Sequence, residues 1–260
     1  MFSKNKDKKY KLLKNDTIEY EGRTLYRIKA LKETLHYKKG ELGGYIQSEA
    51  NLSQDGSCWV TYGAMVFDNA RVEDHVMVKD NAMVYGNAVV EGCATIMGKS
   101  EVYEDARIHH NVVIKDRAKI YGNAYVYNDA KIGDCAKIFD SVEIHDSVHI
   151  YGDAIIEGQA IIKDHAQIAG NARIKSNDDY AYIRGFGCEN RATTFYRVKA
   201  GRVEVICGCF RGSLKQFRIQ VKERYNIEKC SEEEQVYRKQ YLDIASIMEY
   251  RFKYHETIIW

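Results

Sequence analysis

The sequence predicts a mainly β protein organised around a triangular parallel β-solenoid, and three regularities carry that prediction. In steps of six from Val60 to Ile174, all 20 positions are valine or isoleucine. Two residues before each stands a small or short side chain, from Cys58, Ala64, Ala70 and Val76 through to Ala172. Two residues after it, from 62 to 170, 16 of 19 residues are Gly, Asn or Asp; Tyr62, Glu104 and His110 are the exceptions. A repeat of this kind decides the fold before any local propensity does.

Composition bounds the rest. The chain has 260 residues, 45% hydrophobic and 29% charged, enough for one large or two modest domains. Net charge is +2, which selects no class of partner. Proline is absent, where ordinary usage of about 5% would supply roughly 13, and this disfavours proline-rich linkers. No apolar run approaches the ~20 residues of a membrane helix. The lysine-rich stretch from Met1 to Lys14 has no apolar segment behind it and does not read as a secretory signal. Seven cysteines, an odd number, read as reduced thiols. A cytoplasmic protein without membrane contact is the expectation.

Residues 1–51 are net +5, with 12 basic and 7 acidic side chains. They read as strands about a Glu21-Gly22 turn, with Ile18, Tyr20, Leu25, Tyr26 and Ile28 apolar. The open end of a solenoid is an unpaired edge, so this segment is expected to be a β cap.

Residues 52–175 are the solenoid. A small–x–branched unit has period two, so both side chains point to one face of a short strand. The Gly/Asn/Asp position admits the positive φ that a sharp corner requires. A strand and a corner every six residues leave no room for hairpins, and three sides close one coil. The 124 residues give just under seven coils, a prism roughly 30 Å long at about 4.8 Å per coil. Amphipathic helices would need apolar residues at 3–4 spacing, which this stretch lacks. Its net charge of −6, from 12 basic and 18 acidic residues, makes it a poor nucleic-acid binder.

On these residues the sequence resembles the hexapeptide-repeat family, and the resemblance implies a left-handed parallel β-helix. Here glycine falls one residue later than in the family's commoner pattern, as in Val84-Tyr85-Gly86-Asn87-Ala88. The opening segment, Gly40-Glu41-Leu42-Gly43-Gly44-Tyr45-Ile46 running on to Trp59-Val60, is similar to one in uncharacterised bacterial and phage members.

Residues 176–260 lose the repeat and are net +3. Tyr180–Phe186, Thr194–Val198 and Val203–Phe210 read as three strands, the last two joined by Lys199-Ala200-Gly201-Arg202. Ser213 with Gln216, and Ser231 with Glu234, are capping boxes that open two helices. Leu214, Phe217 and Val221 share one helix face; Tyr237, Tyr241, Ile244, Ile247, Met248 and Phe252 share the other. A small α+β domain is expected, and the segment resembles the C-terminal module of phage proteins with this prism.

Three constellations bear on function. Side chains one coil apart stack, so Phe67, Tyr85, Tyr103, Tyr121 and Phe139 form an outward aromatic column. It reads as a wall ladder, a ligand platform or a subunit interface; family resemblance implies a homo-oligomer, with a trimer favoured. His109 and His145 lie two coils apart with Tyr127 between them, and His149 follows. They look like the zinc histidines of gamma-class carbonic anhydrases, yet a spacing of roughly 10 Å is too long for one zinc at ~2.1 Å per ligand within a single chain. No metal and no cofactor is therefore expected. Hexapeptide acyltransferases place a catalytic histidine beside a loop that interrupts the repeat; nothing interrupts residues 60–174, so catalysis is not expected, with acyl transfer as the alternative.

The third constellation is Cys188-Glu189-Asn190-Arg191-Ala192-Thr193-Thr194-Phe195-Tyr196-Arg197 with Cys207-Gly208-Cys209-Phe210-Arg211-Gly212-Ser213. Glycines before a helix N-terminus favour an anion, and Arg191 and Arg211 could clamp a phosphate with Thr193 and Thr194 donating hydroxyls. Tyr196, Arg197, Cys209 and Ser213 complete the candidate set. A capped helix start with solvated arginines is the plainer reading of the same residues. The sequence thus predicts a non-catalytic scaffold whose C-terminal domain binds a host protein or a nucleotide-like anion, in a phage setting a sponge for a host immune nucleotide signal.

Overall fold

The computed structural model describes residues 8–34 and 36–257, so the first half of the lysine-rich stretch from Met1 to Lys14 lies outside the described residues. Strands β1 (Tyr10–Tyr20) and β2 (Arg23–Ala30) form an antiparallel hairpin that turns at Glu21-Gly22, both at positive φ. Strand β3 (Leu42–Ile46) pairs antiparallel with β2 and parallel with the first coil, Tyr45 opposite Met65 and Ile46 opposite Val66. The N-terminal segment is therefore the end of one prism face, a ten-stranded sheet. Tyr10 and Tyr37 pack on the buried Trp59 at ring distances of 6.5 and 4.1 Å.

Two glycines make that junction possible. A Cβ on Gly43 would lie 2.5 Å from the Val60 carbonyl oxygen, and one on Gly44 would press still closer on that of Ala64. The segment Leu42–Ile46 can cross the first coil only without side chains at these positions. Leu52 then bridges Val72 in parallel. Ile46 and Leu52 thus extend the interior column through an opening coil slightly longer than those that follow.

Twenty two-residue strands follow at six-residue intervals, β4 (Trp59–Val60) to β23 (Arg173–Ile174). Each pairs in parallel with its counterpart in a neighbouring coil, as Glu101 with Lys119 and Val102 with Ile120, and the strands fall into three faces. The branched residues from Val60 to Ile174 are at most 1% exposed. With the alanines they form one continuous core.

The corners have a chemistry of their own. Every sixth residue from Asp68 to Gly170 has positive φ, Glu104 (55°) and His110 (65°) included, whereas at Tyr62 the corner falls on Gly63 (91°). Carboxylates at corners accept the backbone N–H one coil further on. Asp74 accepts from Gly92 at 2.9 Å, Asp80 from Gly98 at 3.0 Å, Asp116 from Asp134 at 3.1 Å and Asp134 from Gly152 at 2.8 Å. Glu104 does the same to Gly122 at 2.9 Å. An acidic residue is thus tolerated in left-handed backbone because its side chain satisfies a donor that the coil leaves unpaired.

The C-terminal module is a four-stranded antiparallel sheet, β24 (Tyr180–Ile183), β25 (Thr193–Arg197), β26 (Val203–Cys207) and β27 (Phe210–Ser213), followed by α1 (Leu214–Arg224) and α2 (Glu232–Thr257). Two expected strands are corrected. Val203–Phe210 is not one strand, because Gly208 (φ 60°) turns the chain into a hairpin with Cys207 opposite Phe210. Tyr180–Phe186 ends at Ile183, before Gly185 and Gly187 take positive φ. Both capping boxes form: Ser213 with Gln216, and Ser231 with Glu234. Leu214, Phe217 and Val221 are buried as expected, but Ile247 is 59% exposed. The buried line on α2 runs through Tyr241, Ala245, Met248 and Phe252, and Ile247 stands about 100° round the helix from Met248.

The sheet has two working faces. Tyr180, Tyr196 and Ile206 join the prism core, while Phe195, Val205 and Cys207 join the helices. The prism-side face closes the last coil. The Tyr180 hydroxyl donates to the Ile161 carbonyl at 2.7 Å, the Thr194 hydroxyl accepts from Gln167 N–H at 3.0 Å, and Ala172 bridges Val198. Each prism side thus has an edge group satisfied by the module. Among the described residues no helix is long and apolar enough to cross a membrane.

Candidate functional site

On the helix-side face a cleft of about 260 Å³ opens between the β26–β27 hairpin, α1 and α2. Its wall is aromatic because α1 continues its buried stripe one step past Val221 to Tyr225, and α2 faces it with Tyr241. Tyr225 and Tyr241 stack at 6.1 Å with planes 19° apart, Phe217 meets Tyr241 edge-on at 5.9 Å, and Phe210 lies 5.3 Å from Phe217. Cys188, Cys207 and Cys209 also line the cleft, and Arg191, Arg224 and Gln220 bring polar groups to it.

Backbone conformation holds the cleft open. Gly187 (φ 65°) runs beneath the Tyr241 ring, where a Cβ would collide with the ring carbon that bears the hydroxyl. The Gly187 N–H donates to the Gln240 side chain at 2.7 Å. Gly208 lets Arg191 close over the hairpin turn, its Nη1 2.8 Å from where a Cβ would sit. Arg191 is steadied by Glu189 at 2.9 Å, and that carboxylate holds the guanidinium firmly charged. The Arg224 guanidinium lies 5.7 Å from the Tyr225 ring centroid. Burial pushes the Tyr225 and Tyr241 hydroxyls and the Cys207 thiol up, so all three are neutral at pH 7. The cleft therefore combines an apolar aromatic wall and neutral hydroxyls with two permanent cations.

The candidate residues from the sequence do not converge on one anion. Arg191 and Cys209 line the cleft. Thr193 is fully buried beside its cross-strand partner Cys207. Thr194 and Tyr196 face the prism; the Thr194 oxygen takes the Gln167 N–H, and the Tyr196 hydroxyl donates to Glu204 at 3.3 Å. Arg211 is also on the prism side, 3.4 Å from Glu204 and against Gly170. It therefore cannot close on the same group as Arg191, since the sheet separates them. Arg197 pairs with Asp179 at 3.0 Å and donates to the Phe252 carbonyl at 2.5 Å. Ser213 caps α1. Alternation along β25 produces this split, one residue to each face in turn. Arg224, Gln220 and Tyr225 escaped the sequence reading, though their place beyond Phe217 and Val221 on the same helical face was a usable signal.

The aromatic column is a real stack. Centroids from Phe67 to Phe139 are 5.0, 4.8, 4.8 and 4.9 Å apart, and planes agree within 10°. Tyr20 covers the Phe67 end at 5.5 Å. The histidines are held locally: His109 is 3.5 Å from Glu91, His145 is 3.0 Å from Asp146 and stacks on Tyr127, and His149 stands on another face. Among the described residues no group of three or more His, Cys, Asp or Glu side chains is placed to hold a metal ion.

Fold and site together define a class: a parallel β-solenoid of hexapeptide period that carries a separate cleft on its terminal module. No family model matches the chain, and no curated protein matches it. Among solved structures, the chain is similar to that of a Bacillus cereus protein titled a "putative acetyltransferase", at 13% identity over 77% of this chain and 91% of the other, with a TM-score of 0.19. At that score the likeness carries no argument about activity.

Proposed function

We propose that this chain is a solenoid scaffold whose C-terminal module binds a small molecule made of an aromatic ring and an acidic group, a mononucleotide being the representative case. The observation that carries the reading is the pairing of the aromatic wall, Phe210, Phe217, Tyr225 and Tyr241, with the cations Arg191 and Arg224 in one cleft. The ring would lie against the wall, where burial of apolar area and stacking hold it. The acidic group would meet the guanidiniums, which bind phosphate and carboxylate oxygens as charge-assisted donors. The cleft volume of about 260 Å³, near the roughly 300 Å³ floor of small-molecule pockets, favours one ring system over a dinucleotide. Binding without turnover would sequester the ligand, the behaviour of a nucleotide sponge.

Thermal-shift measurements with nucleoside monophosphates, acyl-CoA and zinc test this directly. Stabilisation by a nucleoside monophosphate that falls at least tenfold in apparent affinity in Arg191→Gln and Arg224→Gln supports the reading. A shift with acyl-CoA alone would replace it with acyl transfer.

A second reading concerns the ladder face. The rings of Tyr85, Tyr103, Tyr121 and Phe139 stand half-buried in one column, edged by Met83 and by the Glu101–Lys119 pair, and we propose that copies of the chain associate there, as a trimer. Mass in solution tests it: Tyr103→Lys with Tyr121→Lys should yield monomers, and an unchanged mass would refute the interface.

A further inference from the structure

The aromatic ladder is closed at one end and open at the other. At the first rung Tyr20 and the Arg23 guanidinium cover Phe67, at 5.5 and 5.3 Å. At the last rung Tyr121 stacks on one face of Phe139, and the other face looks into a cavity of about 520 Å³ between the final coils and the module. The sixth rung belongs to Glu157, one coil beyond Phe139, and Glu157 instead pairs with Lys175 at 3.1 Å. Ile155 supplies an apolar floor, and Arg173 and Lys199 reach the cavity from the prism wall and from the β25–β26 turn. Arg173 donates to the carbonyls of Asp153 and Ala172 at 3.0 and 2.9 Å. Neither Arg173 nor Lys199 forms an ion pair with a carboxylate among the described residues. The other two cations at the cavity, Lys175 and Arg197, are matched by Glu157 and Asp179.

We infer that this cavity is a second ligand site, in which a planar aromatic ring carrying a phosphate or similar anion stacks on Phe139 as the missing sixth rung. The coil spacing of 4.8–5.0 Å between rungs sets the height of a sixth ring, the level at which Glu157 stands, so the ring would enter from the cavity beside the Glu157–Lys175 pair. Stacked rings are favoured beyond their area burial, and here Phe139, which lines the cavity, offers a platform whose orientation the four rings beneath it fix. Charge decides what the ring carries: the two cations without a carboxylate partner stand at the cavity, so an anion is recognised and a neutral arene is held less well. The site lies on the prism side of the module, across the sheet from the cleft between α1 and α2, and it stands whether or not that cleft binds a nucleotide.

The test uses the full chain carrying Arg191→Gln and Arg224→Gln, so that the cleft does not contribute, with 1-naphthyl phosphate as the probe followed by fluorescence anisotropy. Binding is expected in this background, weakened at least tenfold by Phe139→Leu and by Arg173→Gln with Lys199→Gln. The probe should bind at least tenfold more tightly than either 1-naphthol or inorganic phosphate. Glu157→Tyr supplies an independent check that does not depend on a tolerated cavity: a covalent sixth ring should abolish probe binding while raising the melting temperature. Absence of binding in the parent background, unchanged affinity in Phe139→Leu or Glu157→Tyr, or equal binding of inorganic phosphate would each overturn the site.

Discussion

Tyr85 and Tyr103 occupy the same position in successive coils and lie 4.8 Å apart, with ring planes within 1° of parallel. Their ring spacing is the strand spacing of the solenoid read on its outer surface. The Tyr85 hydroxyl donates to Glu101 at 3.0 Å, and Glu101 in turn pairs with Lys119 at 2.7 Å, which ties three successive coils together beside the stack.

That stack should be visible in alkaline titration. Burial, with the neighbouring Tyr121 and Glu101 adding to it, pushes the Tyr103 hydroxyl up to about 12. A hydroxyl raised above its ordinary 10 stabilises the fold below pH 10, and that contribution is lost as pH rises from 10 to 12. The difference in 295 nm absorbance between the parent and Tyr103→Phe should show a single ionisation near pH 12. A difference centred near pH 10 instead would mean that the Tyr103 ring is solvated.

The junction at Gly44 sets a sharp limit on substitution. A methyl group there meets the Ala64 carbonyl oxygen and, at 2.5 Å, the Thr61 carbonyl oxygen. Gly44→Ala should destabilise the fold by about 1–3 kcal/mol, the cost of overpacking a rigid interior, measured by urea unfolding. Gly22→Ala meets no atom within 4 Å but stands at φ 76°, so it should cost only the left-handed strain of roughly 1 kcal/mol.

Corner carboxylates predict the acid limb. The backbone N–H of Asp134 holds Asp116 below the ordinary carboxylate value, and that of Asp164 does the same for Asp146. A depressed carboxyl contributes stability above its ordinary value near 3.8, and that contribution fades as pH falls through the depressed one. Urea midpoints measured from pH 6 to pH 2 should fall more steeply in the parent than in Asp116→Asn with Asp146→Asn. Parallel curves would show that these bonds do not stabilise the fold.

Thiol reactivity should follow burial. Cys93 and Cys209 are exposed, whereas Cys58 and Cys207 are buried and burial pushes both thiols up. Iodoacetamide at pH 8 should label Cys93 and Cys209 first and Cys58 and Cys207 last, followed by peptide mass spectrometry. Rapid labelling of Cys207 would mean that the cleft wall is open to solvent.

The solenoid was legible because each of its determinants recurs at a fixed interval: Val84, Val102 and Ile120 occupy the same physical environment, so chance agreement is averaged away. The corner rule was only half legible. Glycine and asparagine announce a left-handed turn, but Glu104 enters through a bond to Gly122 that is apparent only once coils are stacked. The cleft was least legible. Arg191 and Arg211 belong to one cluster in sequence, yet strand alternation and the Gly208 hairpin send them to opposite faces of one sheet. The true companions of Arg191, Tyr225 and Tyr241, come from two helices whose mutual packing no local pattern specifies.

An experimental density map of the chain crystallised with the nucleoside monophosphate that stabilises it most bears hardest on the proposed role of the module. The base should lie against Tyr225 and Tyr241 with its phosphate between Arg191 and Arg224. A ligand seated along the histidine-bearing prism wall, with the cleft between α1 and α2 holding only water, would contradict that role.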